Sequence, residues 1–208
     1  VSDAVDLDIP ALGDLAVSLY LSGDVPATFL ITGHPVARQT NYVSPAGDFT
    51  ASADMPFSTT KQSWYFLTGV EVMAPQQVGA VVVLGDSITD ANLSTPDANH
   101  RWSDELARRL STARRQIGVL NEGTAGNRIL HDGVGENGLH RFDRDVLSQS
   151  GVAYVIVLLG INDLRNRNPA EAVTANDMIA GYKQMILRAH ARGIKIFGGT
   201  LLPYENET

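Results

Sequence analysis

The chain of 208 residues reads as an α/β protein whose parallel sheet follows a short antiparallel β-region. Two observations predict this. From Gly79 onward, wholly apolar runs alternate with segments of helical spacing, the pattern of strands covered on both faces. Before that point, short alternating segments are separated by turn residues such as Ser22-Gly23-Asp24 and Pro45-Ala46-Gly47-Asp48.

The antiparallel elements come first. "LAVSLYL" places Leu15, Val17, Leu19 and Leu21 on one face, and "ATFLITG" (Ala27 to Gly33) and "WYFLTGVEVMA" (Trp64 to Ala74) are rich in β-branched and aromatic residues. Asp48 to Gln62 is polar and reads as a loop. In the second part, "AVVVLG", "IGVLN" (Ile117 to Asn121), "VAYVIVLLG" (Val152 to Gly160) and "IKIFGGTLL" read as four strands. "RWSDELARRLSTARRQ" is a helix with Trp102, Leu106, Leu110 and Ala113 at helical spacing. A longer helix is expected from Pro169 in its first turn to Gly193 at its C-terminal cap, with Ile179, Tyr182, Ile186 and Ala189 as its buried stripe. The division expected is residues 1–76 for the β-rich region and 77–208 for the α/β core.

Composition excludes several classes. The formal charge of -7 and the scattered 16 Lys and Arg argue against nucleic acid as a partner. There is no cysteine, hence no disulfide and no thiolate metal site. No apolar run reaches the roughly 20 residues of a membrane span. No acidic cluster has metal-ligand spacing, and no phosphate- or dinucleotide-binding glycine motif occurs, so no cofactor or metal is expected. The start at Val1 reads as a processed or trimmed N-terminus, compatible with a removed signal peptide.

Ligands of parallel sheets bind beyond the carboxyl ends of the strands. Three of those ends carry unusual residues. In "GDSITD" the strand delivers Ser87 to a turn into a helix, where its hydroxyl would face the crevice and its N–H would be free. This suits an acyl-transfer nucleophile, and it equally suits a plain Ser or Asp helix cap. In "NEGTAGNRIL" Gly126 lets its N–H approach an anionic oxygen, and Asn127 adds a polar side chain; an ordinary glycine turn is the alternative. In "LGIND" the Asn162 amide is a neutral donor and Asp163 can accept loop N–H groups; the alternative is an Asx-turn. Together they supply a nucleophile and three oxyanion donors.

Gly85-Asp86-Ser87-Ile88, Gly126-Asn127 and Gly160-Ile161-Asn162-Asp163, in this order, resemble the first three motif blocks of the SGNH hydrolases, the GDSL-type lipases and esterases. The likeness runs from about Val81 to Leu202. "GDSITD", "RWSDEL", "GNRIL" and "RFDRDVL" resemble the bacterial branch that carries an N-terminal β-region. The resemblance implies a flavodoxin-like three-layer α/β/α sandwich, ester hydrolysis, and a secreted or periplasmic protein. It implies Ser87 as nucleophile, its amide with Gly126 N–H and Asn162 as the oxyanion hole, and Asp86, Asn127 and Asp163 as supporting residues. It implies a small-molecule or carbohydrate ester as substrate. Acetylated carbohydrate or a short-chain ester suits a chain with no evident apolar lid.

Two departures stand out. The second block reads Asn121-Glu122-Gly123 where the family has Asn-Ala-Gly. The family's Asp-x-x-His block, source of the general base, does not occur here, so the sheet is expected to be C-terminally incomplete, with the base in a missing C-terminal segment that could act as a partner. Of the five histidines, His34, His100, His131, His140 and His190, His131 is the best-placed substitute, although each reads first as a structural or solvated side chain. A non-catalytic carbohydrate- or ligand-binding protein on the same fold is the competing reading. Trp64, Tyr65 and Phe66 cannot all be buried on one strand face, so the β-region is either structural packing or a carbohydrate-binding module.

Overall fold

The computed structural model describes residues 2–26, 33–74, 79–113, 115 and 117–203. The chain divides into two compact units, Val1–Gly69 and Val70–Thr208.

The first unit holds two small antiparallel ladders. β1 (Gly33–His34) pairs with β4 (Trp64–Tyr65), and β2 (Asn41–Val43) pairs with β3 (Thr59–Lys61). Leu15–Leu21 forms no strand, despite its alternation. Alternation is only a bias, and among the described residues no backbone pairs with this segment, which is irregular, with Leu15, Val17, Leu19 and Leu21 all exposed. The expected strand from Trp64 to Ala74 stops at Tyr65, because Phe66 takes φ 65°, which turns the chain out of the ladder. Thr59–Lys61, expected within a loop, is the strand that pairs with β2. Of the expected strand at Ala27–Gly33, only Gly33 lies within the described residues.

The second unit contains a four-stranded parallel sheet in the order β6-β5-β7-β8: β5 (Gly79–Gly85), β6 (Ile117–Gly123), β7 (Val152–Leu158) and β8 (Lys195–Gly198). The apolar run Ala80–Leu84 is buried throughout, which fits a central strand covered on both faces. Val82 and Leu84 pack with Ile129, Phe142, Val146, Val155, Val157 and Met185 in the main core. α1 (Ser87–Asp90) and α2 (Trp102–Thr112) follow β5, and both pack on β6. α3 (Gly138–Phe142) runs into a π-helical turn, Asp143–Leu147, that packs against β5 and β7. α4 (Ile161–Leu164) follows β7.

The last helix corrects two expectations. Pro169 opens a separate 3₁₀ turn, Pro169–Glu171, capped by Asn168; α5 begins later, at Ala175–Ala191. A capping box between Thr174 and Asp177 outcompetes the proline as a start signal, with Asp177 N–H donating to Thr174 Oγ1 at 3.2 Å and Thr174 N–H to Asp177 Oδ2 at 2.9 Å. The buried face is Met178, Gly181, Met185 and Ala189, whereas Ile179 and Ile186 are exposed. Gly181 explains the rotation. A Cβ there would lie 2.9 Å from both Ile129 and Leu130, so the glycine lets the helix sit on that loop with its small side inward. At the C-terminus, Gly193 N–H donates to His190 O and Ile194 N–H to Ala189 O, a Schellman closure.

Candidate active site

β5 is central and its chain neighbours lie on both sides: the connection leads to β6 on one flank, and β7 follows on the other. Parallel pairing puts the carboxyl tips of all three at one edge of the sheet. Such a reversal of strand order opens a crevice. The three loops singled out from the sequence are the three that leave these tips.

Ser87 is the first residue of α1 and is half-buried. Among the described residues, neither its hydroxyl nor its N–H has a hydrogen-bond partner, the N–H because the first amides of a helix have no partner within it. Asp86 is the N-cap; its Oδ1 accepts the Ile88 N–H at 3.0 Å, and its Oδ2 is buried with no partner among the described residues. Burial raises the Asp86 pKa; the Ile88 amide opposes the shift, and the nearby Asp163 charge adds to it.

The second loop is held tightly to the first. The Thr124 N–H donates to Gly85 O at 3.0 Å, and Asn121 Nδ2 reaches Thr89 O at 2.9 Å. A Cβ on Gly123 would lie 2.3 Å from the Asp90 nitrogen, so only glycine lets α1 lie on the end of β6. Gly126 has φ 77°, and its N–H is unpartnered among the described residues. Asn127 is fully committed: Nδ2 donates to Val134 O and Glu136 O, and Oδ1 accepts from Arg141.

In the third loop, Asn162 Nδ2 donates to Asn127 O at 3.0 Å, which leaves one amide hydrogen uncommitted among the described residues. Asp163 is buried and accepts the N–H groups of Ile129 at 2.8 Å and Leu130 at 3.2 Å. Burial raises its pKa against those two bonds. The second and third loops are thus joined through Asn162 and Asp163, and the first and second through Gly85 and Asn121.

None of the five histidines hydrogen-bonds Ser87 among the described residues. His131 is half-buried beside a cavity of about 310 Å³ lined by Leu130, Val173, Asp177 and Gly181. His140 pairs loosely with Glu136 at 3.9 Å. Among the described residues, no group of acidic and histidine side chains is arranged to hold a metal ion.

Arg141 escaped attention in the sequence except as part of "RFDRDVL". It is 3% exposed, and its guanidinium reaches Gly85 O, Glu122 O, Asn127 Oδ1 and Asp145 Oδ2. The signal was its spacing: Arg141 and Asp145, like the buried Phe142 and Val146, are four apart and share the inward face of one helical segment. Beside them, Glu122 is pushed up to about 7, chiefly by burial and then by the Asp145 charge.

A serine heads a helix at the tip of a central parallel strand, with amides beside it that are unpartnered among the described residues, in an α/β unit whose strand order reverses there. The family model of the GDSL-like lipases and acylhydrolases matches residues 83–208, and the chain belongs to that family. Among solved structures, a mutant of the esterase AlinE4 is 22% identical with a TM-score of 0.50, over 64% of each chain, a likeness of fold. The chain thus spans about 64% of the length of that relative. The acetyl xylan esterase AlAXEase is 23% identical with a TM-score of 0.45, over 57% of this chain and 56% of that one. A variant of Axe2, an acetyl xylan esterase from Geobacillus stearothermophilus, is 20% identical with a TM-score of 0.45, over 59% and 61%. No curated protein matches the chain. Among the described residues no helix is long and apolar enough to cross a membrane.

Proposed function

We propose that this protein is a serine ester hydrolase acting on a small acyl ester. The observation that carries the reading is the meeting, at one sheet edge, of a half-buried serine hydroxyl and backbone amide donors that have no partner among the described residues. In this reading Ser87 Oγ attacks the ester carbonyl and loses its proton to a general base. The carbonyl oxygen becomes an oxyanion held by the N–H groups of Ser87 and Gly126 and by the second amide hydrogen of Asn162. The base returns the proton to the leaving alcohol, and water then releases the acyl group from Ser87. Asp86, Asn127 and Asp163 support the three loops. The base is assigned to an Asp-x-x-His block outside these 208 residues, because none of the five histidines meets Ser87. An acetylated carbohydrate or short-chain ester is favoured over a long lipid because the sequence carries no evident apolar lid. The family resemblance supports a secreted or periplasmic protein, and the division of the chain into residues 1–76 and 77–208 belongs to the same reading.

The test is intact-mass spectrometry with a serine-directed fluorophosphonate, together with hydrolysis of p-nitrophenyl acetate. Both the 208-residue chain and the naturally encoded protein are measured. One adduct, lost in Ser87→Ala along with at least about a thousandfold of the hydrolysis rate, is the expected result. Hydrolysis that survives Ser87→Ala would sink the assignment. Binding of a substrate analogue with no turnover in the naturally encoded protein would favour the non-catalytic alternative.

A further inference from the structure

The strand-end loops are flexible connections in sequence, yet a nucleophile and its oxyanion donors have to be held to within a fraction of an ångström. One side chain touches the backbone or side chain of two of these loops from below. Arg141 Nη2 donates to Gly85 O at 2.9 Å, two residues before Ser87. Its Nη1 donates to Glu122 O at 2.8 Å, at the end of β6. Its Nε donates to Asn127 Oδ1 at 3.0 Å, on the residue after Gly126. Asn127 O in turn accepts the Asn162 side chain, so the third loop is tied to the same residue at one remove.

We propose that Arg141 is a positioning residue that fixes the spacing between Ser87 and the oxyanion donors of Gly126 and Asn162. This rests on the ester-hydrolase reading above. Arg141 does not itself touch substrate, since it lies buried beneath the loops. The geometry uses the planar fork of an arginine: three nitrogens spread over the guanidinium address three separated acceptors, whereas the three donors of a lysine share one nitrogen and lack that span. The charge is a separate matter. Asp145 balances it at 3.0 Å, and Asp145 is also held by Arg144, at 2.6 Å from Nε to Oδ1, so the acid keeps a cation when Arg141 is changed. The fork can therefore be removed while the local charge balance is kept.

The experiment measures kcat, KM and urea midpoint for Arg141→Lys in the naturally encoded protein, with p-nitrophenyl acetate as substrate and fluorophosphonate labelling of Ser87 as a second readout. Arg188→Lys is the control: Arg188 is a partly buried arginine that binds Leu139 O and Asp143 and reaches none of the three loops. Arg141→Lys is expected to fold, to keep KM within about twofold, and to lose roughly 10- to 100-fold in kcat and in labelling rate, as displaced reacting groups do. Arg188→Lys is expected to keep kcat whatever its midpoint. Should Arg141→Lys fail to fold, the double variant Arg141→Met with Asp145→Leu removes the buried pair at similar volume, a replacement proteins often tolerate; it is expected to fold and to show at least the same kcat loss. Either variant, folded and within twofold of the parent kcat, overturns the proposal, as does a kcat loss that merely tracks the unfolded fraction. If the unaltered protein neither labels nor hydrolyses through Ser87, the ester-hydrolase reading fails and this proposal falls with it. If the unaltered protein labels and Arg141→Lys labels equally fast, only the positioning role fails.

Discussion

The two units of this chain contain similar apolar residues and treat them in opposite ways. In the first, Leu15, Leu19, Tyr42, Phe57, Trp64 and Tyr65 are all exposed, and Ala37 is the only buried apolar residue among those described. In the second, Val82, Val83, Leu84, Val155 and Met185 are fully buried around the central strand. The difference teaches that apolar content does not make a core. A core needs layers that can close over both sides of a sheet, and two ladders of two or three residue pairs offer too little surface to do so. It also explains why the candidate site lies on the second unit: catalytic geometry has to rest on elements whose side chains cannot shift.

The strongest challenge to this comparison is a matched pair of truncations. Leu84→Ala removes a fully buried side chain from the main core and is expected to cost about 3 kcal/mol, read as a lower urea midpoint. A cost near zero would mean that the parallel sheet is not the stable part.

A smaller effect comes from the charge buried behind the site. Glu122 has its pKa pushed up to about 7 from 4.5, so the folded protein binds this proton more tightly than the unfolded chain does. Its contribution to stability is therefore greatest in acid and is lost as pH rises through the interval from about 4.5 to 7. Glu122→Gln should remove that loss, gaining at most about 3 kcal/mol at pH 8 and little at pH 4. Urea midpoints of both proteins at the two pH values check the sign. An equal gain at both would show that the burial of Glu122 is not electrostatically costly. Asp86 and Asp163, also raised by burial, leave a residual slope of the same sign.

The smallest effect is expected in the first unit. Leu19→Ala, at a side chain 55% exposed, should change the midpoint by less than about 0.5 kcal/mol. A cost approaching that of Leu84→Ala would break the comparison, because it would show that Leu19 is buried in solution.

Much of the second unit was legible in the residues. Ala80–Leu84 and Val152–Leu158 are apolar throughout, and their shortness and β-branched content favour buried strands over helix segments. The polar residues at their tips, Asp86-Ser87 and Asn162-Asp163, marked the edge where a site would form, because a buried strand has no local need for them. The first unit was far less legible. Alternation at Leu15–Leu21 says which face would be apolar, but says nothing about whether another backbone will lie alongside.

The sequence alone therefore determined the class of the second unit, the order of its four strands and its two longest helices, and the three polar loops at the strand tips, since periodicity and strand-end polarity are local properties of the chain. Tertiary structure alone decided the rest. The inward face of α5 was chosen by the close approach that Gly181 allows to Ile129 and Leu130, against the pull of Ile179 and Ile186. The start of α5 was chosen by competition between two nearby caps. The contact of Arg141 with Gly85 spans 56 residues of sequence. A hydrogen bond over such a separation has no periodicity to announce it; it exists only once the sheet has brought its ends together.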